Sequence, residues 1–134
     1  MFKNIILTST GLSSYNVFSY VSSLFDEMEA KSCAVITTAA EGKENNKYSL
    51  LAKEQLTSLG IKDVLFFDLE TDDIAEFPEV DVIYVCGGNT FKLLQECKKS
   101  NFYKLLQVHL QANKIYIGVS AGSCILGSDI SIMS

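Results

Sequence analysis

The chain has 134 residues, enough for one domain with a real hydrophobic core. Hydrophobic residues make up 48% of it, and the formal net charge is −5, with acids and lysines mixed along the sequence. That balance excludes a basic footprint for nucleic acid and a polybasic membrane-surface segment, and no apolar run reaches the length needed to span a bilayer.

The N-terminal apolar run Ile5-Ile6-Leu7 is too short for a signal peptide and predicts a first strand over about Asn4–Ser9. After the turn Thr10-Gly11-Leu12 a helix is expected near Tyr15–Met28. Val17, Tyr20, Val21, Leu24, Phe25 and Met28 recur there at helical spacing, with Ser13 or Ser14 as N-cap. Cys33–Thr37 reads as the second strand, and Lys47–Leu59 as a helix stopped by Gly60 at its C-terminus. Val64–Phe67 and Val82–Val85 read as the third and fourth strands. The loop between them carries Glu70, Asp72, Asp73, Glu76 and Glu79 without ligand spacing or a partner histidine, so no metal is expected.

Helical turns over Thr90–Lys98 and Phe102–Gln111 precede a fifth strand at Ile115-Tyr116-Ile117. Strands and helices alternate throughout, which predicts an α/β fold of three layers: a parallel sheet with helices on both faces. The four cysteines, Cys33, Cys86, Cys97 and Cys124, have no C-x-x-C spacing and lie in apolar patterns. They are expected to be reduced and mostly buried, which points to the cytoplasm.

The chemistry is concentrated in Lys114–Leu126, KIYIGVSAGSCIL. A buried strand, then Gly118-Val119-Ser120-Ala121-Gly122, then a small-residue helix is the pattern of a nucleophile elbow. At the tip of such a turn the serine is thrust clear of the sheet in a strained backbone conformation, and glycines two residues to either side let neighbouring backbone pass. The N–H of Ala121 then faces the spot where an oxyanion forms. Ligands in parallel sheets gather at the carboxyl ends of the strands. The second loop expected at that edge is Cys86-Gly87-Gly88-Asn89-Thr90, where Asn89 or Thr90 can cap the following helix. By itself a glycine pair is a tight turn. Beside an elbow, the N–H of Gly88 or Asn89 is a candidate second oxyanion donor.

The run Val85–Leu94 (VCGGNTFKLL) resembles the GGGNTF-x-L-L segment of the peptidase E (aspartyl dipeptidase) family, and Gly118–Ser123 resembles its G-x-SAG elbow. Thr8-Ser9-Thr10 and Thr37-Thr38-Ala39-Ala40 fit as well, so the likeness covers the whole chain. The resemblance implies a class I glutamine amidotransferase-like fold, related to flavodoxin-like sheets, and a serine peptidase that removes an N-terminal aspartate from small peptides. It implies Ser120 as nucleophile, Gly88 and Ala121 as oxyanion donors, and no cofactor.

Three departures stand beside this likeness. Cys86 replaces the first glycine of the loop, a change expected to alter packing more than chemistry. The family's histidine and acid lie on later strands, beyond Ser134, so the fold is expected to be truncated after the elbow. All 11 basic residues are lysines, so the bidentate guanidinium that best recognises a carboxylate is missing, and Lys92 is the nearest point-charge substitute. The single histidine, His109, ends the helix before the fifth strand and is about 15 Å from Ser120 along that strand, too far to act as base within one chain. With Leu105, Leu106 and Leu110 around it, a surface or interface place is expected.

A sheet cut short after the elbow is expected to leave the Ile115–Val119 strand at or near an edge. Such an edge would call for a homodimer or a second chain that completes sheet and site. Two function classes follow: a serine hydrolase of short peptides, and a catalytically silent binding or assembly module. An amidotransferase-like activity fits less well, since those enzymes place cysteine at the elbow.

Overall fold

The fold comes from a computed structural model, which describes residues 4–128. In chain order it contains β1 (Ile5–Thr8), α1 (Tyr15–Met28), β2 (Ser32–Ile36), α2 (Lys47–Ser58), β3 (Asp63–Phe67), β4 (Val82–Val85), α3 (Thr90–Ser100), α4 (Phe102–Gln111), β5 (Ile115–Val119) and α5 (Ala121–Ser128). Short 3-10 turns at Lys43–Asn45 and Ile74–Glu76 lie in the loops before α2 and β4. The alternation read from the sequence is therefore the architecture observed. All five strands run parallel, in the order β1-β5-β4-β2-β3.

Two cores flank the sheet. On one face α1 and α2 pack Val21, Leu24, Phe25, Ala52 and Leu56 onto Cys33, Val35, Val82, Ile115 and Ile117. On the other, α3, α4 and α5 pack Leu93, Cys97, Phe102, Leu106 and Ile125 onto Ala34, Ile36, Ile83, Val85 and Tyr116. Burial on both faces explains why β2, β4 and β5 are continuous apolar runs rather than alternating ones.

The place of β5 differs from the sequence expectation. It is not an edge strand: Tyr116 pairs with Ile5 on one side and with Ile83 on the other. The first strand of the chain fills the position outside β5, because the β1 to α1 to β2 crossover skips two strand places. Among the described strands the edges are β1 and β3, where Leu7 is 51% and Leu65 47% exposed.

Local signals set most helix boundaries. Asn89 caps α3 by accepting the Lys92 N–H at 3.0 Å, as its type and position suggested. Asn46 does the same for α2 through the Tyr48 N–H at 2.8 Å. Ser14 occupies the N-cap position of α1, but its hydroxyl makes no capping bond.

His109 also departs from expectation. It is buried, on the same inward stripe of α4 as Phe102 and Leu106, and its Nε2 lies 2.7 Å from the Ile115 carbonyl at the amino end of β5. Burial pushes its pKa below the ordinary 6.5, against a smaller upward pull from that carbonyl. The neutral form is therefore the one folded, and acid favours the unfolded chain, which binds the proton. His109→Gln should lower stability by about 1–2 kcal/mol at pH 7. The gap between parent and variant should narrow as the pH falls through 6.5 toward 5. Thermal melts of both proteins across that range check this, and a gap that widens in acid would contradict it.

Candidate active site at the serine elbow

Ser120 follows β5 directly and takes φ 51°, the left-handed region that a residue with a Cβ rarely enters. The conformation costs about 1–3 kcal/mol and persists only where the surroundings impose it. Its own N–H donates to the Thr8 carbonyl at 2.8 Å, while its carbonyl accepts the N–H of Ser123 at 2.9 Å, opening α5. Below the turn, the Tyr116 hydroxyl donates to the Gly122 carbonyl at 2.6 Å, and the Ser123 hydroxyl donates to the Gly118 carbonyl at 2.8 Å. Ser120 itself is exposed.

Both flanking glycines are required by close approach. A methyl group on Gly118 would lie 2.6 Å from the Gly122 carbonyl oxygen, and one on Gly122 would lie 2.6 Å from that of Val85. The elbow is thus pressed down onto the end of β4. From that end the loop Cys86–Asn89 rises beside it: a methyl on Gly87 would be 3.1 Å from the Ser120 Cβ. Gly88 has φ +139°, and a methyl there would be 2.0 Å from the Ala39 carbonyl oxygen. The Thr37–Ala40 turn after β2 therefore closes the far side of the glycine loop. Loops from three adjacent strand ends thus pack in a row, with the glycine loop between the serine and the Thr37–Ala40 turn, and the helices that follow β2 and β4 leave on opposite faces of the sheet.

The two candidate donors after the glycine pair are not equivalent. The Asn89 N–H already donates to the Ala39 carbonyl at 2.9 Å, and its side chain caps α3, so Asn89 positions the loop and its N–H is engaged. The N–H groups of Gly88 and Ala121 donate to no acceptor among the described residues. Cys86 is buried, its thiol pushed up to about 11 by burial, with its Sγ 3.7 Å from the Ser49 hydroxyl. It stays protonated and fills space. Cys33 and Cys97 are buried as expected, whereas Cys124 is exposed, because Ile125 and Leu126 take the inward face of α5.

No histidine or carboxylate hydrogen bonds to the Ser120 hydroxyl among the described residues. His109 is at the opposite end of β5, as the strand length required. Lys92 is on the first turn of α3, and its ammonium is 2.8 Å from Glu70 Oε1. Sequence reading missed that pairing, and it missed the Tyr116 hydroxyl under the elbow. A lone tyrosine in an otherwise aliphatic strand was the available sign of the latter.

Gly88→Ala should destabilise the protein by about 3 kcal/mol or more, since neither its φ nor the Ala39 backbone can yield cheaply. Gly60→Ala, where nothing lies within 4 Å, should cost only about 1 kcal/mol from φ strain. Chemical denaturation of the two variants separates the cases.

Comparison with known proteins points the same way. The profile of peptidase family S51 matches residues 5–134. An uncharacterized peptidase of Listeria monocytogenes is 38% identical over 137 residues, covering 96% of this chain and 63% of that protein. One from Pasteurella multocida is 36% identical over 119 residues, covering 86% of this chain and 57% of its own length. A crystal structure of a protein described as a peptidase E, also from Listeria monocytogenes, superposes with a TM-score of 0.72 at 38% identity, over 92% of this chain and 61% of that one. The chain thus spans about three fifths of the length of these relatives. With an α/β sheet of matching form and a family profile that runs through the serine elbow, the chain belongs to peptidase family S51.

Proposed function

We propose that this chain carries the nucleophile and oxyanion part of a serine-type peptidase that hydrolyses short peptides, those with an N-terminal aspartate among them. One observation carries the reading: an exposed serine held in the left-handed conformation at a strand-to-helix turn, with a glycine loop packed against it. In the reaction, Ser120 Oγ attacks the scissile carbonyl carbon and gives its proton to a histidine. The N–H groups of Ala121 and Gly88 hold the resulting oxyanion. Collapse breaks the C–N bond, the amine leaves with the proton, and water then releases the acyl group from Ser120.

His109 is the sole histidine of the sequence and is buried at the other end of β5. The base therefore comes from polypeptide outside the described residues, which a second chain packed at this sheet edge would supply. Without a base, a serine of this kind loses about a million-fold in turnover.

The test is cleavage of short peptide amides, aspartyl amides included, by the assembled protein and its Ser120→Ala and His109→Ala variants. The expected result is loss of at least about 10⁴-fold in Ser120→Ala and retained cleavage by folded His109→Ala. Cleavage that survives Ser120→Ala overturns the proposal. A folded sample inert to every peptide, with Ser120 unreactive to a serine-directed phosphonate, would instead favour a silent binding or assembly module.

Assembly has its own check. Sedimentation at micromolar concentration should show more than one chain per particle in the active form. A monodisperse monomer that cleaves peptides would remove the partner from the proposal.

A further inference from the structure

Beside the elbow, the same sheet edge carries a second polar arrangement that the reaction above leaves unused. The loop after β3 turns back at Asp68, whose carboxylate accepts the Lys43 ammonium at 2.5 Å, the Glu70 N–H at 3.0 Å and the Thr71 hydroxyl at 3.2 Å. Two residues on, Glu70 Oε1 receives two ammonium groups at once, Lys43 and Lys92, each at 2.8 Å. Both lysines hold the Glu70 carboxyl below its ordinary range. Glu70 is nonetheless open to solvent, with 39% of its side chain exposed. Lys43 pairs with Asp68 as well as with Glu70, whereas Glu70 is the one ionic partner of Lys92 among the described residues. A cleft of about 520 Å³, lined by Thr37, Lys43, Phe67 and Asp68 among others, opens beside this cluster.

The geometry points to the Lys43–Lys92 pair as a carboxylate-binding site for the peptide substrate, occupied here by the chain's own Glu70. Two ammonium groups converge on one carboxylate oxygen, which is what such a site must offer, and the occupant sits on an exposed loop that an incoming carboxylate can displace. The pair gives a chain without arginine a means of recognising an acidic group. From β5 to β3 is three strand spacings, roughly 14 Å at about 4.8 Å each. An extended peptide covers that in about four residues at ~3.5 Å each. The carboxylate recognised is thus one several residues from the scissile bond, a C-terminal carboxylate or a distal acidic side chain, and not that of the residue being cleaved. This inference rests on Ser120 marking the reacting end of the peptide.

The experiment measures binding, not turnover, in Ser120→Ala protein, so it stands whether or not Ser120 is the nucleophile. Acidic peptides of three to five residues are titrated by calorimetry or NMR in four forms: free acid, C-terminal amide, side-chain amide, and the peptide with both groups amidated. Lys92→Met should weaken the free acid about tenfold and leave the doubly amidated peptide unchanged. Glu70→Gln should tighten the free acid several-fold by vacating the site, with a gain that shrinks as salt rises. Comparing the two single amides tells a terminal carboxylate from a side-chain one. Melting curves confirm that both surface variants fold. If Glu70→Gln does not tighten binding, or if Lys92→Met weakens acid and amide alike, the cluster only ties down its loop and the inference fails.

Discussion

The serine turn keeps its shape because no atom larger than hydrogen fits between it and two neighbouring stretches of backbone. Gly122 lies against the Val85 carbonyl, Gly118 against that of Gly122, and the buried Tyr116 hydroxyl fastens the turn from beneath. These contacts hold Ser120 in a conformation it would not keep alone, with its side chain outward and the first N–H groups of α5 beneath it. They also fix the height of α5 over β4, and through β4 the position of the glycine loop. A site of this kind is a property of the sheet edge as a whole, since the strand ends and the helix start cannot move separately.

The same edge shows why adjacent loops have different tasks. Ala39 accepts the N–H of Asn89 and sits against Gly88, so the turn after β2 serves as a backstop for the loop after β4. Asn89 spends its backbone on that contact and its side chain on the start of α3. Gly88, with no side chain to place, leaves its N–H open to a ligand. The division of labour between two neighbouring residues follows from their hydrogen bonds alone.

Much of this was legible before the structure. The G-x-S-x-G spacing, the alternation of elements and the capping role of Asn89 are local properties, written within a few residues of one another. Strand order is not local: an apolar run such as Ile115–Ile117 announces burial on both faces but does not name its neighbours, and here the outer neighbour is the first strand of the chain. His109 shows a readable sign passed over, since Phe102, Leu106 and His109 share one helical stripe and its inward face is the buried one. The Lys43–Glu70–Lys92 cluster carried no such sign, because three charged residues spread along the sequence meet only after α3 and the β3 loop are packed.

Placing β1 outside β5 has a consequence for how the molecule is made. Asn4 hydrogen bonds to Asn113 across 109 positions of sequence, and each ladder bond of β1 spans a similar gap. Closing so long a loop is entropically slow, so β1 joins last in any folding order led by local contacts. During synthesis the first strand emerges early and waits for the fifth, with Ile5, Ile6 and Leu7 uncovered meanwhile. The serine whose N–H is bound by Thr8 is therefore set in place only when β1 and β5 meet.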